Sequence, residues 1–120
     1  MKIFKFSLYL LLSIFFNLTY AQKKNNGFTI KGQINGIENH TTILLIDIDG
    51  QKIIDSAKTV NEKFVLKGTV EEPTTCWIRC KDKYNNLIVE NTTMTYTSSF
   101  DNMELDARIM GDENNSYIIN

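Results

Sequence analysis

The sequence has 120 residues, with two cysteines, one histidine and a formal net charge of −1. A chain so close to neutrality predicts neither a basic patch for nucleic acid nor a polybasic membrane motif. Its length suits one domain with a modest core.

The first 21 residues have the three parts of a signal peptide. Lys2 and Lys5 supply positive charge, Phe6–Phe16 is apolar, and Thr19-Tyr20-Ala21 offers a cleavage site. A membrane-spanning helix needs roughly 20 apolar residues, so this run is too short; an uncleaved N-terminal anchor is the alternative. Cleavage removes two of the 13 basic residues and leaves a net charge of about −3, and no nearby cysteine offers a lipid anchor. We expect export, then a flexible lead-in at residues 22–27.

Short apolar runs between residues 28 and 73 predict strands. Residues 28–34 and 64–70 alternate apolar and polar side chains, the pattern of a strand with one face against a core. Residues 42–48 are apolar on both faces, which predicts an interior strand. Asn61-Glu62 is a weaker turn signal, and Pro73 ends the run because proline cannot donate to a sheet.

Asp49-Gly50 predicts a tight hairpin. A type I′ turn needs positive φ at both central residues, and Asp-Gly is one of the pairs that favour it. Counting outward from this turn places Asp47 opposite Lys52 and Ile46 opposite Ile53. An opposite-charge pair beside an apolar pair stabilises such a hairpin.

The chain after Pro73 keeps the composition of strands. Residues 81–86 are polar and predict a hairpin loop, and residues 98–102 predict another loop. The strand candidates here are residues 76–80, 87–90, 92–97 and 105–111. About eight short strands indicate an all-β fold over residues 28–111, an antiparallel β-sandwich or an open barrel. Residues 112–120 are either the start of a helical connector, with Tyr117, Ile118 and Ile119 as its first apolar face, or a frayed tail.

Several of these pieces, in their order, resemble a known domain. They are Phe28-x-Ile30-x-Gly32, Ile54-Asp55-Ser56-Ala57, Lys63-Phe64-x-Leu66-x-Gly68-x-Val70-x-x-Pro73, Glu90-Asn91-Thr92 and Ala107-Arg108-Ile109-Met110-Gly111. The pattern resembles the β-rich domain of unknown function that precedes the thioredoxin-like domain in envelope thiol–disulfide oxidoreductases of the Bacteroidetes type. Those full-length proteins belong to the alkyl hydroperoxide reductase/thiol-specific antioxidant superfamily.

The resemblance covers nearly all of the expected mature chain. It implies a location in the periplasm or cell envelope of a Gram-negative bacterium and an accessory role. The thioredoxin-like domain of that family does not follow within the 120 residues. We therefore expect either a stand-alone relative or a truncated oxidoreductase.

Cys76 and Cys80 are the candidate redox residues of an exported chain. Three residues separate them, whereas the thioredoxin active site has two and lies at a helix N-terminus. Residues four apart on a strand lie roughly 13 Å apart, beyond the Cα separation of about 7 Å that a disulfide allows. We expect buried free thiols. A disulfide across a sharp bend and a catalytic pair are the alternatives.

No other motif predicts a catalytic or metal site. Asp47-x-Asp49-Gly50 resembles part of a calcium loop, but Leu45 and Ser56 would take its first and twelfth positions. His40 has no partners at zinc-site spacing, and the chain has neither a nucleophile elbow nor a phosphate loop. We expect no catalytic residue, metal or cofactor.

Two surface features are candidates for other roles. Asp55-Ser56-Ala57 matches the short O-glycosylation motif that the resemblance implies, with Ser56 as acceptor; an ordinary strand serine is the alternative. Trp77, Tyr84 and Tyr96 are candidates for an aromatic ligand platform, or else for core or cross-strand packing.

The sequence therefore predicts a non-catalytic, exported accessory or interaction module. The expected partners are envelope proteins or a thioredoxin-like domain, without nucleic acid and without a transmembrane segment after signal cleavage. A stand-alone ligand- or glycan-binding module and a redox protein are the other hypotheses.

Overall fold

Nine strands and one short helix make up residues 27–111 and 118–119, the part of the chain that the computed structural model describes. The predicted signal peptide, residues 22–26 of the predicted lead-in, residues 112–117 and Asn120 lie outside it. In chain order the elements are β1 Phe28–Asn35, β2 Thr42–Asp47, β3 Lys52–Lys58, β4 Lys63–Gly68, β5 Thr74–Cys80, β6 Lys83–Val89, β7 Thr93–Ser99, α1 Met103–Asp106, β8 Arg108–Gly111 and β9 Ile118–Ile119.

The strands form two sheets that enclose one core. Sheet A has the order β4-β1-β7-β8, and sheet B has the order β3-β2-β5-β6-β9. All neighbours are antiparallel except β1 and β7, which run parallel. The predicted all-β sandwich is confirmed, and the sheets do not close into a barrel.

Alternation along the strands builds the core between the sheets. Every second residue of β1 is buried, from Phe28 to Ile34, and these side chains meet inward residues of sheet B such as Ile43 and Ile78. Burial of such side chains removes apolar surface from water and is the main force that holds the sheets together. The interior place predicted for residues 42–48 is also confirmed, since β2 lies between β3 and β5.

Two phenylalanine–glycine pairs pack against each other between β1 and β4. Phe64 lies opposite Gly32, and Phe28 lies opposite Gly68. A Cβ on Gly32 would lie 2.0 Å from Cζ of Phe64, and one on Gly68 would lie 2.9 Å from the Phe28 ring. Each ring therefore covers the glycine of the other strand, a recognised way to compensate a glycine within a sheet.

The hairpin between β2 and β3 has the predicted register but another turn. Asp47 pairs with Lys52 and Ile46 with Ile53, as counted from the sequence. The type I′ prediction is wrong, because neither central residue has positive φ; Gln51 takes that conformation instead, with φ 47°. Asp47 Oδ1 accepts the backbone N–H groups of Asp49 and Gly50 at 3.0 and 3.3 Å, which stabilises a wider loop.

Asn61-Glu62 is the two-residue turn with positive φ at both positions, 52° and 70°. Val60 and Lys63 exchange two backbone hydrogen bonds of 2.9 and 3.1 Å across it. These are the features of a type I′ hairpin. The weaker turn signal therefore has the tighter geometry.

The predicted loop at residues 81–86 is wrong, because β6 already begins at Lys83 and only Lys81 and Asp82 turn the chain. The polar side chains are accommodated within the strand: Tyr84 is exposed, whereas Asn85 is buried and donates to the backbone of Met103 at 3.2 Å. Polar composition alone did not distinguish a loop from such a strand.

The predicted strand at residues 105–111 is wrong at its start. The backbone carbonyl of Asn102 accepts the N–H groups of both Leu105 and Asp106, so this stretch forms the helical turn α1. Met103 anchors the turn in the core and Leu105 is 87 % exposed. At the other end, Ile118–Ile119 pair with β6 as a strand and are not the apolar face of a helix.

Candidate functional site

Sheet B has an outer surface of large apolar side chains, which we call the apolar face. Ile53 and Tyr84 are 59 % and 46 % exposed, and the other members are half-buried. Its members are Leu44, Ile46, Ile53, Trp77, Tyr84 and Ile88. The outer surface of an antiparallel sheet is normally polar where it meets water. A contiguous apolar surface instead marks an interaction site.

Strand register makes these side chains neighbours across four strands. Ile46 on β2 lies opposite Ile53 on one side and opposite Trp77 on the other. The Trp77 and Tyr84 rings are 5.4 Å apart, centroid to centroid, at 51°. The face is therefore one continuous surface with an aromatic pair on it.

A bulge in β3 brings Ile53 onto this face. Ile46 pairs with Ile53 and Leu45 pairs with Asp55, so Ile54 is the extra residue between them. Ile54 packs against the core while Ile53 points outward. The adjacent residues Ile53 and Ile54 therefore lie on the outer and the core side of sheet B, respectively.

One end of the apolar face opens into a shallow cleft of about 630 Å³. Its lining is Glu38, Asn39, His40, Thr41, Thr42, Leu44, Arg79 and Lys81. Arg79 Nε donates to the backbone carbonyl of Lys81 at 3.0 Å, which fixes the guanidinium group at this edge. The apolar face therefore has a polar border that includes Lys81, the usual surroundings of a protein-binding surface, and Arg79 lies between Leu44 and Tyr84 within the face.

A second open cleft, of about 830 Å³, lies near the ends of β3, β4 and β5. Asp47, Glu71 and Glu72 are among its lining residues. Asp47 is already engaged by the turn that follows it. Within residues 27–111 and 118–119, no group of three or more His, Cys, Asp or Glu side chains is placed to hold a metal ion.

Cys76 and Cys80 are free thiols on β5, and both are fully buried in the core. Burial raises the pKa of Cys76 to about 12, and the nearby Asp47 carboxylate adds to the effect. Burial also raises the pKa of Cys80, which Lys81 and Lys83 partly oppose. A buried thiol that stays protonated is a poor nucleophile.

Ser56 is exposed on the outer side of β3, opposite Leu44 and beside the apolar face. The preceding residue of the motif has a structural contact, because Asp55 Oδ2 accepts the backbone N–H of Lys67 at 2.7 Å. That hydrogen bond joins the edge strands of the two sheets. Glycosylation of Ser56 stays a prediction, on a hydroxyl that solvent reaches.

Of the three residues of the predicted aromatic platform, two lie together on the outer side of sheet B, which fits both a ligand platform and cross-strand packing, so ligand binding there stays a prediction. Trp77 and Tyr84 form the pair on the apolar face. Tyr96 does not belong to it, because its ring is fully buried 6.0 Å from Phe64. Its alternation with Met94 and with the polar residues of β7 is the signal that places it inside.

Sequence reasoning missed the aliphatic members of the face. The signal available was the apolar character of both sides of β2, which puts Leu44 and Ile46 outward wherever Ile43 and Leu45 face the core. That pattern was interpreted only as an interior position within the sheet.

The described part of the chain contains no helix long and apolar enough to cross a membrane. The model of a family described as a domain of unknown function, DUF4369, matches residues 28–117. No curated protein and no solved structure gives a significant match. The matched region includes the apolar face and both cysteines.

Proposed function

We propose that this chain, which belongs to the DUF4369 family of domains of unknown function, is a non-catalytic interaction module that docks a partner protein. The apolar face of sheet B is the docking surface. The observation that carries the proposal is its six neighbouring apolar side chains on the outer surface of sheet B, of which Ile53 and Tyr84 are exposed and the other four are partly buried.

The composition of the face supports tight local contacts. Tryptophan and tyrosine are the residue types that most often dominate binding energy, especially inside a rim that excludes water. Trp77 and Tyr84 lie against each other, and Arg79 is paired across the strands with both Leu44 and Tyr84. A partner that covers this region would bury aliphatic, aromatic and cationic groups together.

The partner we propose is a thioredoxin-like domain of the cell envelope, reached after export of the chain. The support is the resemblance of Phe28-x-Ile30-x-Gly32 and the later pieces to the domain that precedes such a fold. Burial of both described thiols agrees with a role in which the partner supplies the redox chemistry. If Cys76 were instead a redox residue, insulin reduction by the chain would exceed background and fall in Cys76→Ala.

Titration calorimetry with the isolated thioredoxin-like domain of an envelope oxidoreductase tests the docking. Ile53→Lys places a charge on the apolar face, and Val65→Lys makes the same change on the outer surface of sheet A. These positions are 59 % and 48 % exposed, so they are a matched pair. We expect Ile53→Lys to weaken binding by roughly tenfold or more, because burial of an unpaired charge costs over 1 kcal/mol, whereas Val65→Lys binds like the natural chain.

Equal affinities of the two variants would place the contact elsewhere. Absence of heat for the natural chain would overturn the choice of partner. A rise in melting temperature with oligosaccharides that depends on Trp77 would favour the glycan-binding alternative.

A further inference from the structure

The outer surface of sheet A is polar and positively charged, in contrast to the apolar face of sheet B, and we call it the basic face. Lys31, Lys63, Lys67 and Arg108 are all exposed on it. Threonine, serine, asparagine and glutamine occupy most of the remaining outward positions of β1, β4, β7 and β8, and none of those positions holds Asp or Glu. The cations are far apart in the sequence, so only the fold brings them together.

Strand register spreads these cations over two dimensions. Lys31 lies opposite Val65 on β4 and Thr95 on β7, while Arg108 lies opposite Thr97 at the far edge. Lys63 and Lys67 are roughly 13 Å apart along β4, and Arg108 is about 14 Å from that strand. Two of the four cations share β4 and the other two lie on β1 and β8, so the charges extend across the sheet as well as along it, which suits a planar array of negative charge better than a linear polymer.

The chain as a whole would not be drawn to such an array. The chain from Gln22 has a formal net charge of about −3, from 11 basic and 14 acidic residues, so the attraction depends on which face is presented. Three carboxylates border the face, and each accepts a backbone N–H: Glu62 from Gly36, Asp55 from Lys67 and Asp106 from Ser99. Val65, which is 48 % exposed, lies between Lys63 and Lys67, and Met110, which is 37 % exposed, lies beside Arg108 on the edge strand β8.

We propose that the basic face rests on the surface of an anionic lipid bilayer. The argument is charge complementarity, since basic side chains within a Debye length of anionic headgroups each contribute to adsorption. The apolar face lies on the opposite side of the sandwich and would stay free for a protein partner. Adsorption does not depend on that docking, so either proposal can fail without the other.

Vesicle sedimentation tests the adsorption. The protein is the chain from Gln22, which keeps the whole described sandwich without the apolar leader. Vesicles of phosphatidylglycerol and phosphatidylcholine in equal parts are compared with pure phosphatidylcholine. We expect binding to the mixed vesicles only, and loss of that binding when added salt shortens the Debye length.

Two double variants of equal net charge separate the face from the overall charge. Lys31→Gln/Lys67→Gln neutralises the basic face, and we expect it to lower the partition coefficient roughly thirtyfold. Lys52→Gln/Lys58→Gln neutralises two exposed lysines of β3 outside it, and we expect the coefficient to stay within about twofold. Circular dichroism confirms that each variant keeps its strands.

Three outcomes overturn the proposal. One is equal binding to neutral and anionic vesicles, and another is an equal loss in both double variants. The third is binding to soluble dextran sulfate with none to vesicles, which would assign the basic face to a polysaccharide.

Discussion

Tyr96 shows how the core accommodates polar atoms. It is among the largest fully buried side chains, and its hydroxyl donates to Asn85 Oδ1 at 2.6 Å. Asn85 Nδ2 in turn donates to the backbone carbonyl of Met103 at 3.2 Å. This hydrogen-bonded chain links β7, β6 and α1, and it explains why a polar residue can lie inward on β6.

Replacing Tyr96 by phenylalanine removes the hydroxyl and leaves Asn85 Oδ1 buried without its donor. We expect the free energy of unfolding to fall by about 1–3 kcal/mol in urea denaturation. Tyr84→Phe is the matched control, since Tyr84 is 46 % exposed; its effect should stay within about 0.5 kcal/mol. Equal effects at both positions would show that the buried hydrogen bond does not stabilise the fold.

Cys76 and Tyr96 also predict a loss of stability at alkaline pH. Burial raises the pKa of each to about 12, from ordinary values of 9.0 and 10.0. Well below pH 9.0 both groups are protonated whether the chain is folded or unfolded, so they add no pH dependence. As the pH rises toward 12, the unfolded chain releases these protons first, and the free energy of unfolding falls.

The slope of this fall reports on Cys76 and Tyr96 together with Cys80, whose pKa is also raised by burial. Each contributes at most about 1.4 kcal/mol per pH unit. Urea denaturation of Cys76→Ala over the same range should show a smaller slope, whatever its stability at neutral pH. An identical slope would mean that Cys76 ionises as easily in the folded protein as in the unfolded one.

At the scale of elements, β1 and β4 explain why glycine and phenylalanine recur at the same spacing. Phe28 and Gly32 on β1 pair with Gly68 and Phe64 on β4. The two Phe-x-x-x-Gly motifs of the sequence therefore contact each other. Alternation predicted both strands, but it did not predict that they pair. A local pattern contains no information about which strand supplies the ring.

Gly32→Ala tests this contact. Its new Cβ would lie 2.0 Å from the Phe64 ring, so the ring must move out of its place in the core. We expect a loss of about 1–3 kcal/mol in the free energy of unfolding. Gly50→Ala is the control, because its φ is not positive and the nearest atom, Asp47 Oδ2, is 3.3 Å away; we expect it to change stability by less than about 0.5 kcal/mol.

The two hairpins show where local signals reach their limit. Counting residues outward from the turn predicts the register of β2 and β3 correctly, because the pairing of Asp47 with Lys52 is the same for either turn type. The turn type depends on side-chain competition, and the Asp47 carboxylate stabilises a wider loop than Asp-Gly alone favours. Asn61 and Glu62 adopt the strained turn because strand pairing on both sides holds them there.

At the scale of the molecule, the sandwich has two unlike outer surfaces. Sheet A presents lysine, arginine and hydroxyl groups, whereas sheet B presents Leu44, Ile46, Trp77 and their neighbours. The sequence predicted the class of fold because alternation and turns are local. It did not predict the two faces, because they depend on the distant pairing of β1 with β7 and of β2 with β5.

The single tryptophan offers the most direct test of the docking surface. The chain contains one Trp, and Trp77 lies on the apolar face against Tyr84. Replacing it with 5-fluorotryptophan gives one fluorine resonance that reports only on this face. On addition of the thioredoxin-like domain, we expect the resonance to shift and saturate, with Ile53→Lys abolishing the shift and Val65→Lys preserving it. A resonance that stays unchanged while the two proteins sediment together would contradict docking through the apolar face.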